Sequence, residues 1–144
     1  LRPALGFYST ISMVKQIAAG ETVGYGATYT AKKAEWIATV SVGYADGFVR
    51  ANQGRLVYVD GMRCEVVGRI CMDQLMIRLP SLVPMGTIVE LFGPHIPLAI
   101  MAAELKTIPY EIISLISGRV TRCYKEDGCL KTEKNARLIQ SDIF

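Results

Sequence analysis

The run Leu56-Val-Tyr-Val-Asp-Gly-Met-Arg-Cys-Glu-Val-Val-Gly-Arg-Ile70 decides how this chain folds. Asp60 and Gly61 both accept positive φ easily, and they stand between two segments of β-forming residues, as a two-residue type I′ hairpin requires. On the second arm Met62, Cys64, Val66 and Ile70 are set for an inner face, opposite Arg63, Glu65 and Arg69. One side of a sheet is therefore meant for a core. Upstream, Trp36, Ala38, Val40 and Val42 alternate against Ile37, Thr39 and Ser41, and Ile11, Met13, Lys15 and Ile17 alternate with smaller or polar neighbours. Downstream, two more strands are predicted near Leu75 to Leu79 and Ile88 to Phe92, after turns at Pro80 and at Pro84-Met85-Gly86. The pattern predicts a mainly β domain, an antiparallel, Greek-key-like β-barrel.

The period then changes. Leu98, Met101, Ala102 and Leu105 recur at helical spacing, predicting a short helix from Leu98 to Lys106 that no side-chain oxygen at Pro97 can cap. Pro109 suits the first position of a second helix running through Tyr110 to Ser117, with Gly118 as its expected end. Asp127-Gly128 predicts a turn between two short strands in the charged tail.

A chain of 144 residues, 51% hydrophobic and with net charge +3, suffices for one domain with a sizeable core. A mean hydropathy of +0.28 with 20% charged residues is apolar for a free domain, so some faces are expected to be covered. The charges alternate in sign, giving a nucleic-acid surface little support. Apolar runs such as Ile112 to Ile116 are too short to span a bilayer and no basic-then-apolar leader opens the sequence, so a cytoplasmic protein is expected. Cys64, Cys71, Cys123 and Cys129 lie 7, 52 and 6 residues apart with no close histidine, which predicts reduced structural thiols and no metal. His95 is the single histidine and is expected in a loop, which leaves Ser/His/Asp hydrolysis with weak footing.

Four stretches carry more than folding needs: VGYGATYT at Val23 to Thr30, GYADGFVR at Gly43 to Arg50, GRICMDQ at Gly68 to Gln74, and TIPYEIISLISGRVTR at Thr107 to Arg122. In a strand, Tyr25 and Tyr29 would share a face, in one pocket or one core. Together and in this order, the four stretches resemble the C-terminal domain of alanine racemases, the pyridoxal-phosphate enzymes that interconvert L- and D-alanine. The resemblance covers almost the whole chain.

That resemblance implies a β-domain that follows a pyridoxal-phosphate-binding (β/α)₈ barrel, here absent from residues 1–144. The family's cofactor lysine belongs to the barrel, so the fragment alone is expected to be inactive and to bind no pyridoxal phosphate. Tyr25 matches the family's second base, a tyrosine reaching the partner subunit's active site in a head-to-tail homodimer. Only roughly one free phenol in a thousand is ionised at neutral pH, so cations nearby must favour the anion. Tyr44 matches a tyrosine at the substrate entrance, and Arg50 and Arg69 match gate residues further out. Met72 matches the residue whose backbone amide meets the substrate carboxylate, and Tyr110 the tyrosine bonded to the cofactor phosphate. Tyr29 is assigned a structural role, Asp46 the ordering of its own turn, and Asp73 either a supporting or turn role or that of a carboxylate near the substrate. Arg119 and Arg122 close an R-V-x-R pattern and are assigned ion pairs within the domain or dimer. Pro109 stands where the family usually has asparagine, which stiffens the backbone beside Tyr110.

Without the resemblance, Tyr25 is a strand tyrosine on a core, Tyr44 a turn residue, Met72 core, Tyr110 a helix-start packing residue, and Arg50 and Arg69 solvated cations. The resemblance implies D-alanine supply for bacterial cell-wall peptidoglycan. The alternatives are a related pyridoxal-phosphate racemase acting on serine or another small amino acid, a decarboxylase of the same barrel-plus-β-domain plan, which would not need the Tyr25 stretch, and a non-catalytic β-module that binds a protein partner.

Overall fold

The structure, a computed structural model, describes residues 4–134. Six strands close into an antiparallel barrel in the order β1-β4-β7-β6-β5-β8. These are β1 (Phe7–Ile17), β4 (Glu35–Val40), β5 (Leu56–Val59), β6 (Met62–Val67), β7 (Leu75–Leu79) and β8 (Ile88–Phe92). Closure leaves the barrel no unpaired edge. The β5–β6 hairpin turns at Asp60 and Gly61, with φ of 45° and 82°, the type I′ geometry predicted for that dipeptide. Inside, Val40, Val57, Val59, Leu75, Ile77 and Val89 are fully buried, with Cys64, Val66 and Ile70 from the inward face of the opening stretch.

Two short strands, β2 (Thr22–Val23) and β3 (Tyr29–Thr30), make a small ribbon that packs outside the barrel. Under it lies a second core of Ile17, Val23, Ala31, Ile37, Val67 and Met76. That cluster explains why β4 and β7 are apolar on both faces: Ala38 and Val40 point into the barrel while Ile37 points to the ribbon.

The even alternation expected along β1 does not hold. The register slips between Ile11 and Met13, so Ser12 is the extra residue of a bulge. Beyond it the phase inverts: Val14 packs on the barrel core, Met13 is exposed, and Ile17 faces the second cluster.

The helices are α1 (Leu98–Glu104) and α2 (Pro109–Leu115), with Pro109 in the first turn of α2 and no side-chain cap at Pro97. The second helix stops before Gly118, because Ile116 already takes extended dihedrals. Strands β9 (Arg122–Glu126) and β10 (Cys129–Lys134) form a separate two-stranded sheet turning at Asp127-Gly128. All four cysteines are unpaired. Among the described residues no helix is long and apolar enough to cross a membrane and no side-chain group could hold a metal.

Candidate functional site

VGYGATYT is not a strand. Tyr25–Ala27 form a single 3-10 turn between β2 and β3, flanked by Gly24 and containing Gly26, both at positive φ. A Cβ on Gly26 would sit 2.9 Å from Arg69 Nη1, so the guanidinium lies alongside the turn; that side chain can swing away, and it is the φ of 73° that favours glycine there. The two tyrosines consequently part company. Tyr25 is 74% exposed, whereas Tyr29 is half-buried and packs on the second core.

Tyr29 donates its hydroxyl to Glu35 Oε2 at 2.5 Å, and Arg78 Nη1 donates to the same hydroxyl at 3.4 Å. Glu35 is buried, and Arg78 also bonds Glu65 at 2.7 Å, so this ladder ties the ribbon to β4, β6 and β7. Burial and the bond to Glu35 push the Tyr29 phenol above its ordinary range, against the opposing pull of Arg78. It is a neutral donor, unsuited to taking up a proton.

A cleft of about 570 Å³ opens beside Tyr25. Its lining includes Tyr25, Tyr44, Arg50, Arg69 and Met72, so five of the six predicted site residues meet in one place, with Asp73 beside them. Tyr44 starts a 3-10 turn, Tyr44–Asp46, and Arg50 starts another, Arg50–Asn52. The Tyr44 turn is sewn to the Met72 turn by Tyr44 N–H donating to Cys71 O (3.1 Å) and Ala45 N–H donating to Met72 O (3.0 Å). Met72 is 53% exposed, so its side chain is not core. Its amide makes no hydrogen bond among the described residues, and neither Arg50 nor Arg69 has an ion-pair partner there. An anionic ligand would find two available guanidiniums and one available N–H.

The sixth predicted residue lies elsewhere. Tyr110, in the first turn of α2, is 79% exposed and does not line this cleft.

Sequence reading assigned Arg119 ion pairs within the domain or dimer but not its partners, and these join the loops. Asp46 does order its turn, accepting the Gly43 N–H at 2.9 Å. Its other oxygen accepts from Arg119 Nε at 2.7 Å, while Arg119 Nη2 donates to Asp73 Oδ1 at 2.5 Å. These two carboxylates, Asp46 first, raise the pKa of Arg119 above its already high ordinary value. The three residues lie in three of the four stretches singled out, but nothing in their spacing pairs positions 46 and 73 residues apart.

Residues 4–124 match the family described as "Alanine racemase, C-terminal domain". The chain is 53% identical over 128 residues to the alanine racemase of Latilactobacillus sakei subsp. sakei (strain 23K), a match covering 86% of the chain and 34% of that protein. Alanine racemase from Bacillus anthracis with bound L-Ala-P superposes with a TM-score of 0.94 at 43% identity, over 96% of this chain and 37% of that one. Alanine racemase from Bartonella henselae with covalently bound pyridoxal phosphate superposes at 0.73 and 33% identity, over 77% of this chain and 32% of that one. The chain thus spans about a third of the length of the curated relatives it matches. A closed barrel bearing an exposed tyrosine turn, and a profile match over most of its length, together lead to one conclusion: the chain belongs to the alanine racemase C-terminal domain family.

Proposed function

We propose that the chain forms the C-terminal part of an alanine racemase and supplies Tyr25 as one of the two proton carriers that interconvert L- and D-alanine. The observation that carries this reading is the position of Tyr25: a phenol 74% exposed on a glycine-bracketed turn, at the rim of a cleft lined by Arg69 and Arg50. A tyrosine serving only the fold would be expected to bury its ring, as Tyr29 partly does.

Racemisation removes the Cα proton from one face and returns a proton to the other, so two carriers must stand on opposite sides of the carbon. Tyr25 serves one face through its hydroxyl, with the permanent charge of Arg69 alongside its turn. Met72 offers its amide to the substrate carboxylate, Tyr44 narrows the approach, and Arg50 and Arg69 draw an anionic amino acid inward.

Pyridoxal phosphate, when bound, supplies the electron sink that makes the Cα proton removable. The cleft fits only part of its surroundings. Its phenols and guanidiniums suit an anionic neighbour, but its lining contains no lysine to hold the cofactor covalently. The amine must come from another part of the enzyme, the (β/α)₈ barrel that the family resemblance implies. Tyr110 lies outside the Tyr25 cleft with its ring in solvent, which supports separate duties for the two phenols: Tyr110 toward the phosphate in its own subunit, Tyr25 toward the partner subunit of a head-to-tail homodimer.

The test is Tyr25→Phe in the full-length enzyme, with solvent-isotope uptake at Cα followed separately from L- and D-alanine. Loss of a positioned acid/base group costs on the order of 10²–10⁴-fold. Exchange from one enantiomer should fall by that order and exchange from the other much less. Equal losses from both would reduce Tyr25 to a wall of the pocket.

A further inference from the structure

We infer that Arg119 is a positioning residue for the cleft, setting the separation of the Tyr44 and Met72 turns by holding one carboxylate from each. The inference rests on the racemase reading for its catalytic consequence, but not for its geometry. Asp46 closes the Tyr44 turn and Asp73 follows Met72 directly. Arg119 bonds both, through Nε at 2.7 Å and Nη2 at 2.5 Å. A guanidinium is planar and rigid, so two of its nitrogens fix two acceptors relative to each other in a way that a point-like ammonium cannot.

Both ends of this clamp are themselves oriented. The second oxygen of Asp46 accepts the Gly43 N–H, and Asp46 O accepts the Ser117 N–H at 3.0 Å. The Ser117 hydroxyl in turn accepts the Arg119 N–H at 3.3 Å. Packing does not do this work for the side chains that matter, since Tyr44 is 46% and Met72 53% exposed. Two backbone hydrogen bonds hold the seam between their turns, and the guanidinium spans it from the third segment. Arg119 does not line the cleft, so it acts through the aspartates. Without it, two carboxylates that converge on one cation would face each other unneutralised, and repulsion would widen the seam.

The experiment replaces Arg119 by Met in the full-length enzyme and follows amide hydrogen exchange together with steady-state kinetics on alanine. Exchange at Tyr44 and Ala45 should quicken on the order of ten-fold, with Val40 and Ile77 in the barrel unchanged. KM for alanine should rise more than kcat falls. Arg119→Lys should not restore either, and Asp46→Asn, which keeps an acceptor for the Gly43 amide, should move both in the same direction. The Asp46→Asn variant also carries the test if Arg119→Met fails to fold. Unchanged exchange at Tyr44 and Ala45, or loosening spread evenly through the barrel, would overturn the clamp. If exchange responds as expected while the unmodified enzyme fails to racemise alanine, the clamp stands and the proposed function falls.

Discussion

Replacing Gly43 by Ala tests how closely the two turns of the cleft are pressed together. Gly43 sits at φ −151° and ψ −164°, where any residue is comfortable, so the substitution brings no backbone strain. The obstacle is contact: an added Cβ would lie 2.3 Å from both Cys71 O and Met72 O. Ordinary contact begins near 3.4 Å, so the turns must separate by roughly 1 Å. Both acceptors are backbone atoms and neither can rotate away. Overpacking of this kind costs about 1–3 kcal/mol, and the retreat also stretches the Tyr44–Cys71 and Ala45–Met72 bonds, worth about 1 kcal/mol each. The expected loss is about 2–4 kcal/mol, a large share of the 5–15 kcal/mol typical of a domain. Trp36, the single tryptophan, packs against the barrel core and reports unfolding by fluorescence. With a urea slope of about 2 kcal/mol per molar, the middle of the usual range, the midpoint should fall by about 1–2 M at unchanged slope. Gly118→Ala is the control, because nothing lies within 4 Å of a Cβ there. A Gly43→Ala midpoint indistinguishable from that control would refute the close seam.

Two further outcomes follow from charges and thiols remote from the cleft. Glu90 is buried on β8, where desolvation pushes its carboxyl up, but the His95 ring (2.8 Å) and the amides of Ile96 (2.9 Å) and His95 (2.7 Å) outweigh it and leave the pKa below the ordinary 4.5. A folded value below the unfolded one means stability that is present above about pH 4.5 and drains away as pH falls through the folded pKa. Urea midpoints measured across pH 3–6 should therefore drop on acidification and drop less in Glu90→Gln; parallel curves would contradict the assignment. Burial pushes the Cys64 thiol up to about 11, whereas Cys123 and Cys129 are exposed. Alkylation near pH 8, mapped by mass spectrometry, should label the latter two and spare Cys64 until urea unfolds the barrel. Labelling of Cys64 as fast as Cys123 would contradict its burial.

Much of the barrel was legible because its signals are local. The hairpin at Asp60-Gly61 follows from two residues that accept positive φ, and β7 and β8 begin and end where alternation and the neighbouring prolines placed them. The bulge at Ser12 left no such mark, since an extra residue changes which face follows without changing composition. The Tyr25 turn was marked by Gly24 and Gly26, but a period of two was read through them as if they were strand residues. Alternation puts Ile37 on the face opposite the barrel core; it and Val67 are buried because a ribbon from another part of the chain covers them.

By itself the sequence determined the local conformations: which segments extend, where they turn, where Pro109 opens a helix, and which side of each hairpin is apolar. Those choices rest on φ/ψ preferences and on hydrogen bonds between neighbours in the chain. Only the tertiary structure decided that Tyr25 faces solvent while Tyr29 is locked to Glu35, that Tyr44 and Met72 share a cleft, and that Arg119 holds Asp46 and Asp73. The cleft and the clamp join residues tens of positions apart along the chain, and even Tyr29 and Glu35, six apart, meet across the ribbon and β4. Their partners exist only once the barrel has closed and brought its loops to one rim.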